Sequence, residues 1–269
     1  VVVNPGPVSA GSSLVTASGP ITAGGAASTT TITVRDANSN PIPGVAATFT
    51  VSGAGTTITQ PAGVTNAAGI ISGSFLATTA ETKTVTVTVA GATILTTQPT
   101  VVVNPAAPSA AQSSVTASPS SIEAGGPAST ITVTARDAFS NVISGAAVVL
   151  SSTGGSNNIG QPAVTNGSGV TTGTIASTVA QSKTVSATII GVIVTQTAVV
   201  TVVSGAVSAS LSTATAGTPI TAGGAGSTIT ITARNQFGIP IAGLAASFAV
   251  SGTGNTPTQP VGVTDASGV

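Results

Sequence analysis

The chain has 269 residues, with five basic and five acidic side chains and no Cys or His. The thiolate and imidazole groups that serve most often in catalysis and in zinc sites are therefore missing. The few charges are scattered and balanced, so they form no basic surface for nucleic acid and no polybasic segment for an anionic membrane. Thr, Ser and Gly interrupt every apolar run before it reaches the roughly 18 residues of a spanning helix. We expect no enzyme, no cofactor, no nucleic-acid partner and no transmembrane segment.

Hydrophobic residues make up 41% of the chain, but aromatic residues only 2%. A core must then be built from Val, Ile, Ala and Leu together with the methyl groups of Thr. β-branched residues fit a pleated, half-buried sheet better than a helix. The composition therefore predicts an all-β protein.

The predicted elements are short strands in which apolar residues alternate with Thr or Ser, the period of two that is typical of a half-buried strand. In the first hundred residues they are Leu14–Ser18, Thr30–Arg35, Ala46–Ser52, Ile70–Thr78, Lys83–Val89 and Val101–Val103. Equivalent stretches recur later in the chain, where Phe49 is matched by Leu150 and Phe248. We expect these three matched positions to lie in the core.

Turn signals separate the strands. Ala23-Gly24-Gly25 recurs at 124–126 and at 222–224, and Gly supplies the positive φ that many turns need. A phosphate-binding loop is not favoured, because no helix start follows and no Lys is near. A second block, Val64-Thr65-Asn66 with Gly69, recurs at 164–169 and 263–268 and predicts a turn led by an Asn or Asp side chain.

The most distinctive element is an Arg-Asp or Arg-Asn pair, followed by a polar turn and a Gly at which the chain re-enters a strand. Arg35 and Arg136 are 101 residues apart, and Arg136 and Arg234 are 98 apart. Adjacent residues at a strand end point to opposite faces, so the pair is no acid–base couple. Asn235 in place of Asp can serve a turn but not a proton transfer. We interpret as a structural turn the residues Arg35, Asp36, Gly44, Arg136, Asp137, Gly145, Arg234, Asn235 and Gly243.

The period indicates about seven short strands in about 100 residues, which is typical of an immunoglobulin-like (Ig-like) β-sandwich. We predict tandem Ig-like β-sandwich domains in an end-to-end array. Residues 1–4 form the tail of a preceding repeat, followed by repeat one (5–104), repeat two (105–203) and repeat three (204–269). By alignment, repeat three lacks the counterpart of 70–100, so we expect the sequence to be a window on a longer array.

One position of the turn varies between repeats, with Asn38, Phe139 and Phe237 at equivalent places. A turn at the end of a sandwich lies near a domain joint. Phe139 and Phe237 are therefore candidates for contacts between domains or chains, or for rings folded over their own core. The sequence leaves both interpretations open.

Other chemistry is less favoured. Ca²⁺ takes about six to eight oxygen ligands, and the scattered acids supply no such cluster, so no metal site is predicted. Lys83 beside Glu81 raises the question of a Lys–Asn isopeptide link, but Gln181 replaces Glu81 in repeat two. Asn166-Gly167-Ser168 is a weak N-glycosylation signal, and glycans on Ser and Thr are an open alternative.

The pattern Thr-x-Arg-Asp-x-x-x-Asn-Pro-x-x-Gly, then Val-Thr-Asn/Asp-x-x-Gly, then Lys-Thr-Val-x-Val resembles the bacterial Ig-like group 1 repeat of the invasin and intimin adhesins. The resemblance implies a bacterial surface or secreted protein whose tandem sandwiches form a rod. In that family the array mostly holds a distal binding domain away from the cell.

Three functions follow as hypotheses. The leading one is a non-catalytic structural repeat protein that forms an extracellular bacterial fibre, filament or stalk, in which nearly uncharged surfaces self-associate. The second is the shaft of an invasin-like or intimin-like adhesin that binds a host or neighbouring-cell ligand. The third, an accessory domain of a carbohydrate-processing enzyme, would need aromatic platforms, and Tyr and Trp are absent.

Overall fold

A computed structural model describes residues 4–217 and 219–269 of the chain. All regular structure in these residues is β, in twenty strands, which confirms the predicted all-β class with tandem Ig-like domains. The described residues accordingly contain no helix suited to crossing a bilayer. Packing divides the chain into two compact units: the residues up to Gln112 together with Ala135–Ile143, and Ser113–Thr134 together with Ser144–Val269. These units reflect packing, and the repeat boundaries after 104 and 203 stay predictions.

The first unit contains a complete β-sandwich. Its strands are β1 (Leu14–Ala17), β2 (Ile21–Thr22), β3 (Ser28–Thr33), β4 (Ala47–Val51), β5 (Thr56–Thr59), β6 (Ile70–Ala77), β7 (Thr82–Val89), β8 (Thr93–Ile94) and β9 (Thr100–Asn104). One sheet has the order β1-β3-β6-β5, and the other has the order β2-β9-β7-β4 with β8 paired to β7. The short β2 runs parallel to β9.

The core lies between these two sheets and follows from the alternation of each strand. Along β7 the inward residues Val85, Val87 and Val89 are fully buried, while the Thr residues between them face outward. Phe49 on β4 lies opposite Val87, and both Phe49 and Phe75 are almost completely buried. A chain with few aromatic residues thus places two of them at the centre of one sandwich.

The second unit contains a sandwich of the same topology. Its strands are β10 (Ser114–Ser118), β11 (Ser121–Glu123), β12 (Ser129–Thr134), β13 (Val148–Ser152), β14 (Asn157–Gly160), β15 (Val170–Ser177), β16 (Ser182–Ile189), β17 (Val192–Ile193), β18 (Ala198–Val203), β19 (Thr213–Ala216) and β20 (Ile229–Thr232). The sheet orders are β10-β12-β15-β14 and β11-β18-β16-β13, with β17 paired to β16. In repeat three, β19 pairs with β20.

Three strands of repeat one were not placed by the sequence: β2, β5 and β8. β2 and β8 have two residues each, too few to show a period of two. β5 has the sequence Thr-Thr-Ile-Thr, and its single apolar residue, Ile58, is only half-buried. A short edge strand with one inward side chain carries little periodic signal.

The expectation for Phe248 was wrong. Residues 246–251 form no strand, and Phe248 is half-buried rather than buried like Phe49 and Leu150. β4 pairs with β7, and β13 pairs with β16, whereas the described residues after 251 contain no strand that could pair in the same way. A strand residue becomes a core residue only when a second strand and the facing sheet cover it.

The contrast between Phe49 and Phe248 is testable. Phe49→Ala removes a fully buried ring and leaves a cavity, so we expect it to cost about 3–5 kcal/mol. Phe248→Ala should cost about 1 kcal/mol or less. Calorimetry of the full chain measures both; the first variant should lower one transition by more than about 10 °C. Equal losses in the two variants would contradict the difference in packing.

Candidate functional site

The candidate site begins at the corner, which we define as the Arg-Asp or Arg-Asn pair with the four residues after it: 35–40, 136–141 and 234–239. In repeat one, Asp36 is buried. Its Oδ1 accepts the backbone N–H groups of Asn38 and Asn40, each at 2.9 Å. Its Oδ2 accepts the side-chain amide of Asn40 and the backbone N–H of Gly6, each at 2.9 Å. One carboxylate therefore holds both the turn and the segment that enters the repeat.

The Arg of each corner closes the same turn from the other side. Arg35 donates from a guanidinium nitrogen to the carbonyl of Ser39 at 2.6 Å, and Arg136 donates likewise to Ser140 at 2.6 Å. Arg234 donates to the carbonyl of Gly238 at 2.8 Å. The accepting residue has positive φ in each case, with values of 66°, 67° and 76°. The Arg side chain thus stabilises a residue with positive φ. That residue is a Gly, which adopts positive φ readily, only in the third corner.

Re-entry into the sandwich occurs at Gly44, Gly145 and Gly243, with φ of 77°, 72° and 76°. The N–H of Gly44 donates to the carbonyl of Thr65 at 2.9 Å. The Thr65 hydroxyl in turn accepts the N–H of Val45 at 2.9 Å and donates to the carbonyl of Ile42 at 2.7 Å. A side chain at Gly44 would be strained by its φ rather than by crowding, because a Cβ there meets nothing within 4 Å.

The ring of Phe139 lies on the Gly-Gly turn of the preceding repeat. A Cβ added to Gly24 would lie 2.3 Å from Cζ of Phe139, so the ring occupies the space that a side chain would need. Phe139 is still 45% exposed. The contact joins residues of one compact unit, because 135–143 belongs with residues up to 112.

We call the contact between a corner and the preceding repeat a joint. Asn141 makes hydrogen bonds in the same joint as Phe139. Its Oδ1 accepts the N–H of Ala80 at 2.9 Å, and its Nδ2 donates to the carbonyl of Thr78 at 2.8 Å. Nδ2 also donates to Oδ2 of Asp137 at 2.8 Å. Asp137 therefore orients the amide that joins repeat two to repeat one.

The joint between repeats two and three has different chemistry at the same places. The ring of Phe237 lies on Gly126, where a Cβ would be 2.9 Å from the ring edge, and Ile239 lies 2.8 Å from a Cβ at Gly125. Asn235 keeps the turn by accepting the N–H groups of Phe237 and Ile239, each at 2.9 Å. Its amide nitrogen points away from the turn.

That amide nitrogen makes the polar contacts of the second joint. Nδ2 of Asn235 donates to the carbonyls of Ala124 at 2.8 Å and Ser204 at 2.9 Å. Beside it, the Gln236 side-chain amide donates to Glu123 at 2.7 Å. The third equivalent position, Asn38, is exposed, and its described bond is the one from its backbone N–H to Asp36.

Hydrogen bonds set the ionisation of the two corner carboxylates. The Asn40 side chain and the backbone N–H groups of Gly6, Asn40 and Asn38 lower the pKa of Asp36 to about 2. At Asp137, burial raises the pKa, but the Asn141 side chain and the N–H groups of Ala106, Asn141 and Phe139 together outweigh burial and lower it. Both groups therefore fold as carboxylates, the form that accepts all of these bonds.

Two buried lysines lie outside the corners. The Lys83 amine bonds the carbonyl of Ala54 and forms an ion pair with Glu81. The Lys183 amine donates to the carbonyl of Gly155 at 2.8 Å, and burial lowers its pKa. The bonded partners of both amines are loop carbonyls and, in repeat one, a glutamate; neither amine is bonded to an Asn, the partner that the isopeptide hypothesis would require.

The remaining sequence signals concern metals and glycans. The described residues contain no group of three or more His, Cys, Asp or Glu side chains that could hold a metal ion. Asn166 is exposed, and its Oδ1 accepts the N–H groups of Ser168 and Val170 at 2.9 and 3.1 Å. The glycosylation hypothesis stays a prediction.

Sequence reasoning singled out the varying corner position but missed Asn141 and Ile239, and it did not connect the Gly-Gly turns with the rings that lie on them. A signal was available. Asn40, Asn141 and Ile239 occupy equivalent places in the three corners. Two positions therefore change together between the joints: the first joint has Asp137 and Asn141, and the second has Asn235 and Ile239. Paired changes of this kind indicate that two side chains share a contact.

Two family models match the chain. Residues 11–102 match the bacterial Ig-like domain (group 1), and residues 109–205 match invasin, domain 3. Comparison with curated protein sequences returns no match. Among solved structures, the Escherichia coli adhesin FdeC is 27% identical with a TM-score of 0.69, covering 90% of this chain and 79% of that one. Yersinia pseudotuberculosis InvD is 23% identical with a TM-score of 0.59, covering 86% and 72%.

The topology, the corner and these matches define the chain as a set of tandem Ig-like domains of the bacterial adhesin type. Residues 11–102 and 109–205 are bacterial Ig-like domains of the invasin type, which confirms the resemblance noted in the sequence. The InvD similarity supports the fold alone.

The first joint can be tested through the amide of Ala80. Asn141→Ala removes its acceptor, and we expect the exchange of this amide to accelerate at least about fivefold, because a net hydrogen bond contributes about 1 kcal/mol. Hydrogen–deuterium exchange on the full chain measures it. Asn40→Ala is the matched control, because it removes the equivalent bond to Asp36 without touching Ala80.

Phe139→Ala should also loosen the joint with little change in melting temperature; a large loss of stability would instead assign the ring to a core.

Acid should distinguish the two joints. The pKa of Asp137 is lowered from 3.8 in the folded chain, so its stabilising contribution is present above that value and is lost as the pH falls below it. Asn235 does not titrate. In NMR spectra of the full chain taken from about pH 6 to about pH 2, the side-chain amide signals of Asn141 should shift, because this amide donates to Asp137. Asp137→Asn should abolish that shift, whereas Glu81→Gln, which removes the carboxylate next to Ala80, should leave it in place; a shift that persists in Asp137→Asn would contradict the assignment.

Proposed function

We propose that this chain is the repeat region of a bacterial adhesin-like surface protein, and that it serves as a non-catalytic structural spacer that assembles into an extracellular fibre, filament or stalk. The observation that carries the proposal is the construction of the two joints. In each, a Phe ring lies on a Gly-Gly turn and a corner side chain bonds the preceding repeat. Contacts of this kind between a corner and the repeat before it suit a spacer.

The corner supports the same role because its Asp, Asn235 and Arg side chains bond the backbone. Asp36, Asp137 and Asn235 bond turn amides, and the three Arg side chains bond turn carbonyls. A catalytic group needs a free partner for substrate. These side chains instead hold backbone.

Low charge supports assembly. The formal net charge is zero, with charged residues at 4% of the chain, and the two buried lysines remove part of even that charge from the surface. Surfaces without a net field approach one another without electrostatic repulsion. We therefore propose a second copy of the chain as the partner, at the cell surface or outside the cell.

The similarity to FdeC, which is described as an adhesin, favours a second candidate function. In it, the exposed loops of the repeats bind a ligand on a host or neighbouring cell. The two functions separate experimentally: a ligand-binding shaft retains cells on a surface coated with the monomer, whereas a spacer does so only when a further binding domain is attached.

The assembly can be measured by sedimentation of the full chain over a range of concentrations. We expect larger species to grow with concentration and to change less than about twofold between about 0.05 and 0.5 M salt, because screening affects exposed charges and this surface has few. Electron micrographs of the same samples should show filaments or bundles. Dispersed monomers at the highest concentration would contradict the assembly, and strong dissociation by salt would contradict its neutral character.

A further inference from the structure

The hairpin between β16 and β17 in repeat two breaks a local rule of turn chemistry. Ile189 pairs with Val192, so Ile190 and Gly191 form a two-residue loop with φ of 46° and 82°. A hairpin loop with positive φ at both residues favours Asn-Gly or Asp-Gly. A β-branched residue with positive φ is a clear outlier, because its side chain crowds the backbone. Ile190 is therefore conformationally unfavourable where it stands.

Ile190 is also unfavourable in water. Its side chain is 59% exposed, and those of Ile193 and Val149 are 68% and 59% exposed. Val149 and Ile193 flank Thr188 on its two sides in the sheet register. We call Val149, Ile190 and Ile193 the hairpin patch. It is an apolar surface at one end of the β13-β16-β17 sheet.

Repeat one carries a weaker version of this surface. The positions of Val149, Ile190 and Ile193 are occupied there by Thr48, Ala90 and Ile94. Ala90 also has positive φ, at 50°, and is followed by Gly91, but it presents a single methyl group. The backbone therefore does not require Ile at the hairpin. The large apolar side chain adds strain and exposure in repeat two, and neither is compensated within the described residues.

We infer that the hairpin patch is a contact surface for a second copy of this chain, in which the patches of two copies pack on each other. The inference rests on the proposed assembly and specifies where chains meet. Burial of Ile190 and Ile193 against a like surface removes their exposure to water. A broken local rule without local compensation is typical of a contact site.

The surroundings of the patch favour an identical partner. The neighbouring outward side chains are Thr188, Ser186 and Ser151. A hydroxyl both donates and accepts, so a surface of hydroxyl and alkyl groups is complementary to itself under two-fold symmetry. The one charged residue of β16, Lys183, is buried. An oppositely charged partner would find nothing to pair with, and a membrane surface would meet no cation and no aromatic anchor.

The contact is small. Three side chains cover far less than the roughly 800 Å² that each partner contributes to a stable interface. A single patch therefore gives weak, concentration-dependent pairing of two copies, and growth beyond a pair requires contacts elsewhere on the chain.

Ile190→Asn in the full chain tests the inference because it should move two measurements in opposite directions. Asn suits positive φ, so the melting temperature should rise by a few degrees, while association measured by sedimentation weakens by about tenfold or more. Ile193→Thr removes apolar surface without relieving strain, so it should weaken association without raising the melting temperature. Ala90→Asn is the control: it changes the corresponding hairpin of repeat one, whose loop has the three residues 90–92, and should leave association intact.

The outcomes separate the inference from the proposed function. If the native chain assembles and Ile190→Asn assembles equally well, the hairpin patch is not the contact, and only this inference falls. If the native chain stays monomeric at every concentration, the assembly falls with it. Vesicles of neutral phosphatidylcholine serve as a further probe; binding that Ile190→Asn abolishes, with association unchanged, would assign the patch to a lipid surface and overturn the inference.

Discussion

The rest of this structure depends on a short hydrogen-bond pattern: one side-chain oxygen at the corner accepts two backbone N–H groups, two and four residues later in the chain. It occurs at Asp36, Asp137 and Asn235 with the same distances of 2.9 Å. Backbone amides at the end of a sandwich have no strand to pair with, and leaving them buried without an acceptor would be costly. The pattern satisfies them and fixes the turn. Everything that the turn presents to the preceding repeat follows from it.

The other polar atom of the same side chain, Oδ2 in Asp137 and Nδ2 in Asn235, determines which kind of joint forms. In Asp137 it is an oxygen, which accepts the N–H of Ala106 and the amide of Asn141. In Asn235 it is a nitrogen, which donates to the carbonyls of Ala124 and Ser204. The change from Asp to Asn therefore reverses the bond to the segment that enters the repeat, which donates to Asp137 through Ala106 but accepts from Asn235 at Ser204. It also lets the corner side chain donate directly to the preceding repeat at Ala124, and it leaves the turn intact. Ile239 in place of Asn141 fits this reversal, since no carboxylate remains to orient an amide.

The small number of charged residues affects both the inside of each sandwich and the contacts between chains. Inside each sandwich, packing and strand pairing must provide the stability, and the buried lysines are exceptions that bond loop carbonyls. Outside, few charges remain to direct one chain to another. Contacts between chains then depend on shape and on apolar groups, which is why an exposed and strained Ile at a hairpin tip is more informative here than it would be on a highly charged protein.

Residue pattern alone determined the all-β class, the period near 100 residues, the six main strands of repeat one and the importance of the corner, because alternation and turn residues act over a few neighbours and need no tertiary partner. It could not place the two-residue strands or the half-buried Phe248, whose state depends on strands far away in the chain. It left the ring of Phe139 between two interpretations, since a side chain at a turn can fold either way. Tertiary structure decided that Phe139 lies on Gly24 and that Asn141 bonds Thr78 and Ala80, because these contacts join residues about sixty or more positions apart in the chain and exist only once the first compact unit has folded.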